Sequence, residues 1–82
     1  MQKQDLNKYI LAIVSPFLTQ PDQASCSFSV DDMGTLFILK IDKNDFGRVI
    51  GRNGETIKNI RYLIRAAGLT HGIRASIRLP DE

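Results

Sequence analysis

Three features of this chain predict an α+β fold of two layers, a three-stranded sheet with helices on one face. Ser25, Ser27 and Ser29 alternate with Ala24, Cys26, Phe28 and Val30, the period of a half-buried strand. Ile57, Ile60, Ile64 and Ala67 recur at helical spacing and form one apolar stripe. Ile73, Ala75, Ile77 and Leu79 alternate again with Arg74, Ser76 and Arg78. Strands with one apolar face and helices with one apolar stripe bury both by stacking as two layers. A chain of 82 residues holds one such domain, spanning 1–82, with a modest core.

The elements follow in order. Residues 3–19 predict a helix whose apolar face is Leu6, Tyr9, Ile10, Ile13 and Phe17. Pro16 lacks an N–H and crowds the preceding turn, so the helix pauses near Ser15, and residues 20–23 form a loop. Residues 24–30 and 35–41 make a hairpin around Asp31-Asp32-Met33-Gly34. The second of these strands is more continuously apolar and therefore more central. Asp42 caps a short helix over 43–50, with Asp45 in its first turn. A longer helix covers 55–67, with Gly68 as its stop, and a last strand runs over 73–79 up to Pro80. The order is α-β-β-α-α-β, with no repeat, linker or low-complexity tract.

Between the last two helices lies Val49-Ile50-Gly51-Arg52-Asn53-Gly54-Glu55-Thr56-Ile57. Glycine accepts positive φ and lets a backbone approach a ligand closely, because no Cβ intervenes. The amides that follow open a helix, whose free N–H groups and dipole attract phosphate. Arg52 adds a formal charge between the glycines, while Glu55 suits the helix start and places a negative charge near the same spot. The charge of the whole chain is polarised around this loop. Residues 1–42 sum to −2, residues 43–79 to +6, and Asp81-Glu82 bring the total to +2. An anionic partner is the expectation, nucleic acid first. Lys58, Arg61 and Arg65 recur at i, i+3 and i+7, so they either extend a phosphate track or form an ordinary solvated face.

The run Asp45-Phe46-Gly47-Arg48-Val49-Ile50-Gly51-Arg52-Asn53-Gly54 resembles the signature block of small bacterial single-KH proteins, the KhpA (YlqC) family. The first helix and its exit loop, from Leu6, Tyr9 and Ile10 to Pro16 and Pro21-Asp22, are also similar to that family's. The predicted element order is that of the type II KH domain. The resemblance implies a free-standing RNA-binding protein without catalysis, acting as an RNA chaperone or post-transcriptional regulator. Its G-x-x-G turn clamps about four nucleotides of single-stranded RNA. Carried onto this chain, Gly51 and Gly54 permit the close approach, Arg52 supplies charge, and amides near Asn53 donate hydrogen bonds. Val49 and Ile50 line or underlie an apolar groove for bases; core packing is the alternative for both. Lys58 and Arg61 complete the expected RNA-binding set. The resemblance also implies a homodimer, or a heterodimer with a larger KH-containing protein of the KhpB type.

Other classes fit less well. His71 and Cys26 are single, too few for a structural zinc site, and no nucleophile–base pair is visible. The chain reads as no enzyme and as needing no cofactor or metal. No apolar run reaches the ~18 residues of a membrane span. The first residues lead directly into a periodic segment containing Lys8, so no signal peptide is read and a cytoplasmic protein is expected. An interaction adaptor with weak RNA binding of its own, using Tyr62, Leu63 and Leu69, is the alternative function. A helix-hairpin-helix DNA binder conflicts with the three strands.

Overall fold

The computed structural model describes residues 2–80. Helix α1 spans Lys3–Val14, strand β1 Ser25–Asp31 and strand β2 Gly34–Lys40. Helix α2 follows at Phe46–Ile50, helix α3 at Glu55–Thr70 and strand β3 at Ala75–Arg78. The sheet order is β1-β2-β3, so β2 is central as its apolar run predicts. β1 pairs antiparallel with β2, whereas β3 pairs with it in parallel. The parallel pairing requires a crossover, and α2, the glycine turn and α3 provide it.

The core lies between one face of the sheet and the helices. Phe37, Leu39, Ala75 and Ile77 point from β2 and β3 toward Leu6, Ile10 and Val14 of α1 and Ile57, Ile60 and Ile64 of α3. All are buried. Phe28 packs its ring against Phe37 with centroids 5.6 Å apart, joining β1 to the same core. Half-buried Cys26 lies on that face too, and burial pushes its thiol up to about 11, the chemistry of a small hydrophobe rather than a nucleophile.

Several sequence expectations need correction. α1 ends at Val14, and Pro16 sits in a 3₁₀ turn over Ser15–Phe17, so the predicted pause is a true end. Its buried stripe is Leu6, Ile10 and Val14, spaced four apart; Tyr9 and Phe17 sit on the flank and stay exposed. Val30, at the far end of β1, is 59% exposed. Gly68 does not stop α3, which runs on to Thr70. It is buried, and a Cβ there would come within 2.6 Å of the Ile73 carbonyl oxygen and 2.9 Å of the Ala75 Cβ. The glycine thus lets β3 approach the helix, and Gly72 at φ 72° makes the turn instead. The helix expected over 43–50 is divided into a 3₁₀ turn at Lys43–Asp45 and α2. Asp42 caps that turn, accepting from the Asn44 N–H at 2.8 Å. No helix among the described residues is long and apolar enough to cross a membrane.

Candidate nucleic-acid interface

The glycine turn is built by three residues with positive φ, one before Arg52 and two after it. Gly51 has φ 77° and ψ 176°, Asn53 φ 56° and ψ 24°, and Gly54 φ 75° and ψ 14°. Asparagine tolerates the left-handed region better than most residues, while Gly51's extended positive-φ conformation belongs to glycine. The Gly51 N–H donates to the Gly47 carbonyl at 2.9 Å, closing α2, and the Gly54 N–H donates to the Gly51 carbonyl at 3.2 Å. Arg52 and Asn53 are thereby pushed outward and exposed. α3 begins at once with Glu55, so the positive end of a 16-residue helix sits behind the turn.

Two glycines leave the surroundings bare. A Cβ placed on Gly54, or on Gly47 in α2, would meet no atom within 4 Å. Neither position needs glycine to avoid a clash inside the protein, so a ligand backbone has room to approach at both. Gly51 differs, because its missing Cβ makes room for Thr56.

The other expected site residues divide. Val49 has no exposure and belongs to the core; it underlies the site and does not line it. Ile50 is half-buried and packs against the core while keeping one side to solvent. Lys58 is exposed and Arg61 half-buried on one flank of α3. Arg65 continues that flank and shares a cavity of about 390 Å³ with Leu69, Met33, Arg74, Ala75 and Ser76. Arg65 thus brings the far end of that flank beside β3.

At the start of α2 lies a cavity of about 230 Å³ lined by Leu39, Ile41, Phe46, Leu79 and Pro80, with Lys40 and Lys43 also lining it. Sequence reading singles out none of these for the site. Its only available signal is Phe46 directly before the glycine block, because the cavity forms where the ends of two parallel strands meet the start of α2.

Asp45 is a second residue whose role spacing does not reveal. It is completely buried. One carboxylate oxygen accepts from the Thr19 hydroxyl at 2.6 Å and the Thr19 N–H at 3.0 Å, and the other accepts from the Gln20 N–H at 3.0 Å. Arg48 approaches it at 3.9 Å from solvent. The Thr19 hydroxyl first, then the backbone N–H groups and Arg48, hold the carboxyl below the ordinary carboxylate value, against the opposing effect of burial. This carboxylate ties the chain leaving α1 to the start of α2, and so fixes the helix that carries the turn. No group of three or more His, Cys, Asp or Glu side chains able to hold a metal occurs among the described residues.

Comparison with known proteins adds to this geometry. A family model described as the KH domain of KhpA/KhpB matches residues 7–79. The chain is 32% identical over 81 residues to a Bacillus subtilis protein named RNA-binding protein KhpA, covering 99% of this chain and 100% of that one. It is 37% identical over 59 residues to the protein of the same name from Streptococcus pneumoniae, covering 72% and 75% respectively. The Listeria monocytogenes protein of that name is 35% identical over 63 residues, covering 77% and 83%.

Proposed function

The chain belongs to the KhpA/KhpB KH-domain family, and on that premise we propose that it is a non-catalytic single-stranded RNA-binding protein. It acts as an RNA chaperone or post-transcriptional regulator in the cytoplasm. The observation that carries this reading is the turn itself, where positive φ at Gly51, Asn53 and Gly54 presents Arg52 and Asn53 at the start of α3. Gly51, Gly54 and bare Gly47 let the RNA backbone come close. Ile50 and the cavity beside Phe46 take bases, and Lys58 and Arg61 continue the phosphate contacts. Each domain grips about four nucleotides, so affinity of one copy is low.

Fluorescence anisotropy with a short labelled single-stranded RNA tests this, comparing the wild type with Arg52→Asp/Asn53→Asp. Both side chains are exposed, so the variant is expected to keep its circular dichroism spectrum. Its affinity is expected to fall at least about tenfold at low salt, with a shallower dependence of log K on log salt. Equal binding by the folded variant would move the contact away from the turn, to the α3 flank. The adaptor alternative, by contrast, predicts no RNA binding by either protein.

We propose further that the working form is a homodimer, or a heterodimer with a larger KH protein of the KhpB type. Tyr62 and Leu69 are 62% and 63% exposed on α3, where they line one cavity with Arg65 and Ala66. Apolar side chains gathered this way support a protein contact. Two or more RNA sites on one assembly raise the effective affinity of weak single domains. Sedimentation equilibrium is expected to show a wild-type dimer and, for Tyr62→Ser/Leu69→Ser, a dimer dissociation constant raised at least about tenfold. A wild type that stays monomeric throughout would overturn the homodimer.

A further inference from the structure

Building on the RNA-binding reading, we propose that the open face of the sheet is a second RNA-contact surface, reached from the primary site around the edge of β3. The helices cover one face only. The register lays out the other: Ser25 stands beside Lys40, while Ser27, Ile38 and Arg78 form one row across the three strands and Ser29, Leu36 and Ser76 the next. Arg74 precedes β3 on the same side and packs its stem toward Gly34.

The chemistry of this face suits a polyanion. Lys40, Arg74 and Arg78 are exposed, and none of them forms an ion pair among the described residues. Asp31 is the one acid in the register, at the corner opposite Gly34, where it and Asp32 share a cavity with Arg74; Arg78 and Lys40 lie toward the other end. Solvated faces usually intersperse both signs; this one is cationic over most of its length. Arg74 and Arg78 are four residues apart along one edge, about 13 Å at strand rise. Ser27, Ser29 and Ser76 add short hydroxyl donors that let a backbone come near. Leu36 and Ile38 are half-buried at the centre, enough to support a sugar or base. They are too little apolar surface for a stable protein interface, which favours RNA as the occupant.

The face shares residues with two cavities on the helix side. Lys40 belongs to the open face and also to the lining of the cavity beside Phe46. At the other end, Arg74 and Ser76 share a cavity with Arg65 of the α3 flank. β3 is an edge strand only four residues long, so a strand of RNA has little to cross.

The test is anisotropy with labelled oligouridylates of four and twelve nucleotides, using the wild type and Arg74→Gln/Arg78→Gln. Glutamine keeps most of the stem and removes the charge. The double variant is expected to match the wild type on the four-mer. On the twelve-mer it loses the wild type's gain with length, and its salt slope is shallower by about 1.4, two contacts at ~0.7 each. Unchanged twelve-mer affinity and slope in the variant would overturn the second surface, including the case where length helps only by loading two protomers. A wild type that binds both lengths equally would overturn it too, while leaving the primary site intact. Loss of binding to both lengths in Arg52→Asp/Asn53→Asp verifies that the primary site is being read. If the wild type binds neither, the RNA-binding reading fails and this inference falls with it.

Discussion

Asp45→Ala is expected to lower the thermal midpoint by about 10 °C or more, an effect of the size seen when a buried hydrogen-bond network is broken in a domain this small. The carboxylate accepts from the Thr19 hydroxyl, the Thr19 N–H and the Gln20 N–H. Alanine removes the shared acceptor of three part-buried bonds and leaves a space where the buried carboxylate packed. The damage is not confined to stability. Asp45 is the residue from which α2 departs, and α2 carries Gly47 and leads into the turn at Gly51. Thermal melts followed by circular dichroism measure the first effect. RNA affinity at a temperature where the variant is folded measures the second, and it is expected to be reduced although residue 45 touches no solvent.

The same carboxylate gives stability a pH dependence of known sign. Its folded pKa is lowered, chiefly by the Thr19 hydroxyl, so the unfolded state holds the proton more tightly. The stabilisation is therefore complete above the ordinary carboxylate value near 4 and is lost as pH falls through the depressed folded value. Melting midpoints measured from pH 6 down to pH 3 should fall, and Asp45→Asn should fall less steeply over the same interval while starting lower. Parallel curves for the two proteins would place the acid sensitivity in another group.

How much of this was legible in the sequence depended on where the deciding contact lay. The turn was legible because its requirement is local: Gly51 and Gly54 are spaced as a positive-φ turn demands, and the helix that follows is marked by its isoleucines. β1 was legible through its serine alternation, β2 through its apolar run and β3 through alternation with Arg74, Ser76 and Arg78. Asp45 was not, because Thr19 and Gln20 lie 26 and 25 positions away and the exit loop meets α2 only in the folded chain. Gly68 is ambiguous in sequence, because a glycine that stops a helix and one that admits a strand look the same in one dimension. Tyr9 and Phe17 were assigned inward on hydrophobicity, yet Leu6, Ile10 and Val14 supply a straighter stripe of similar-sized aliphatics against the sheet. The cavity beside Phe46 has no signature at all, since Leu39, Leu79 and Pro80 come together only through the parallel pairing of β2 and β3.

Gly51→Ala should be the most damaging single change in the turn, at about 3 kcal/mol, combining strain near 1–3 with overpacking of similar size. The backbone at φ 77° and ψ 176° lies where a side chain is rarely tolerated. The added Cβ would also run into the Thr56 hydroxyl, and would stand 2.7 Å from the Thr56 Cβ and 2.9 Å from its nitrogen. Rotating the threonine relieves only the hydroxyl contact; the nitrogen is fixed by α3. Gly54→Ala is the matching control. It has a similar φ of 75° but an ordinary left-handed ψ of 14° and nothing within 4 Å, so its cost should be near 1 kcal/mol. Its methyl group would instead project into the space proposed for the RNA backbone. Urea unfolding of the two variants beside their RNA affinities separates the roles. Gly51→Ala should lose stability first and binding through it, whereas Gly54→Ala should stay folded and bind less. Equal unfolding midpoints would mean that Thr56 and the start of α3 can yield, and that the first glycine is kept for the ligand rather than for the fold.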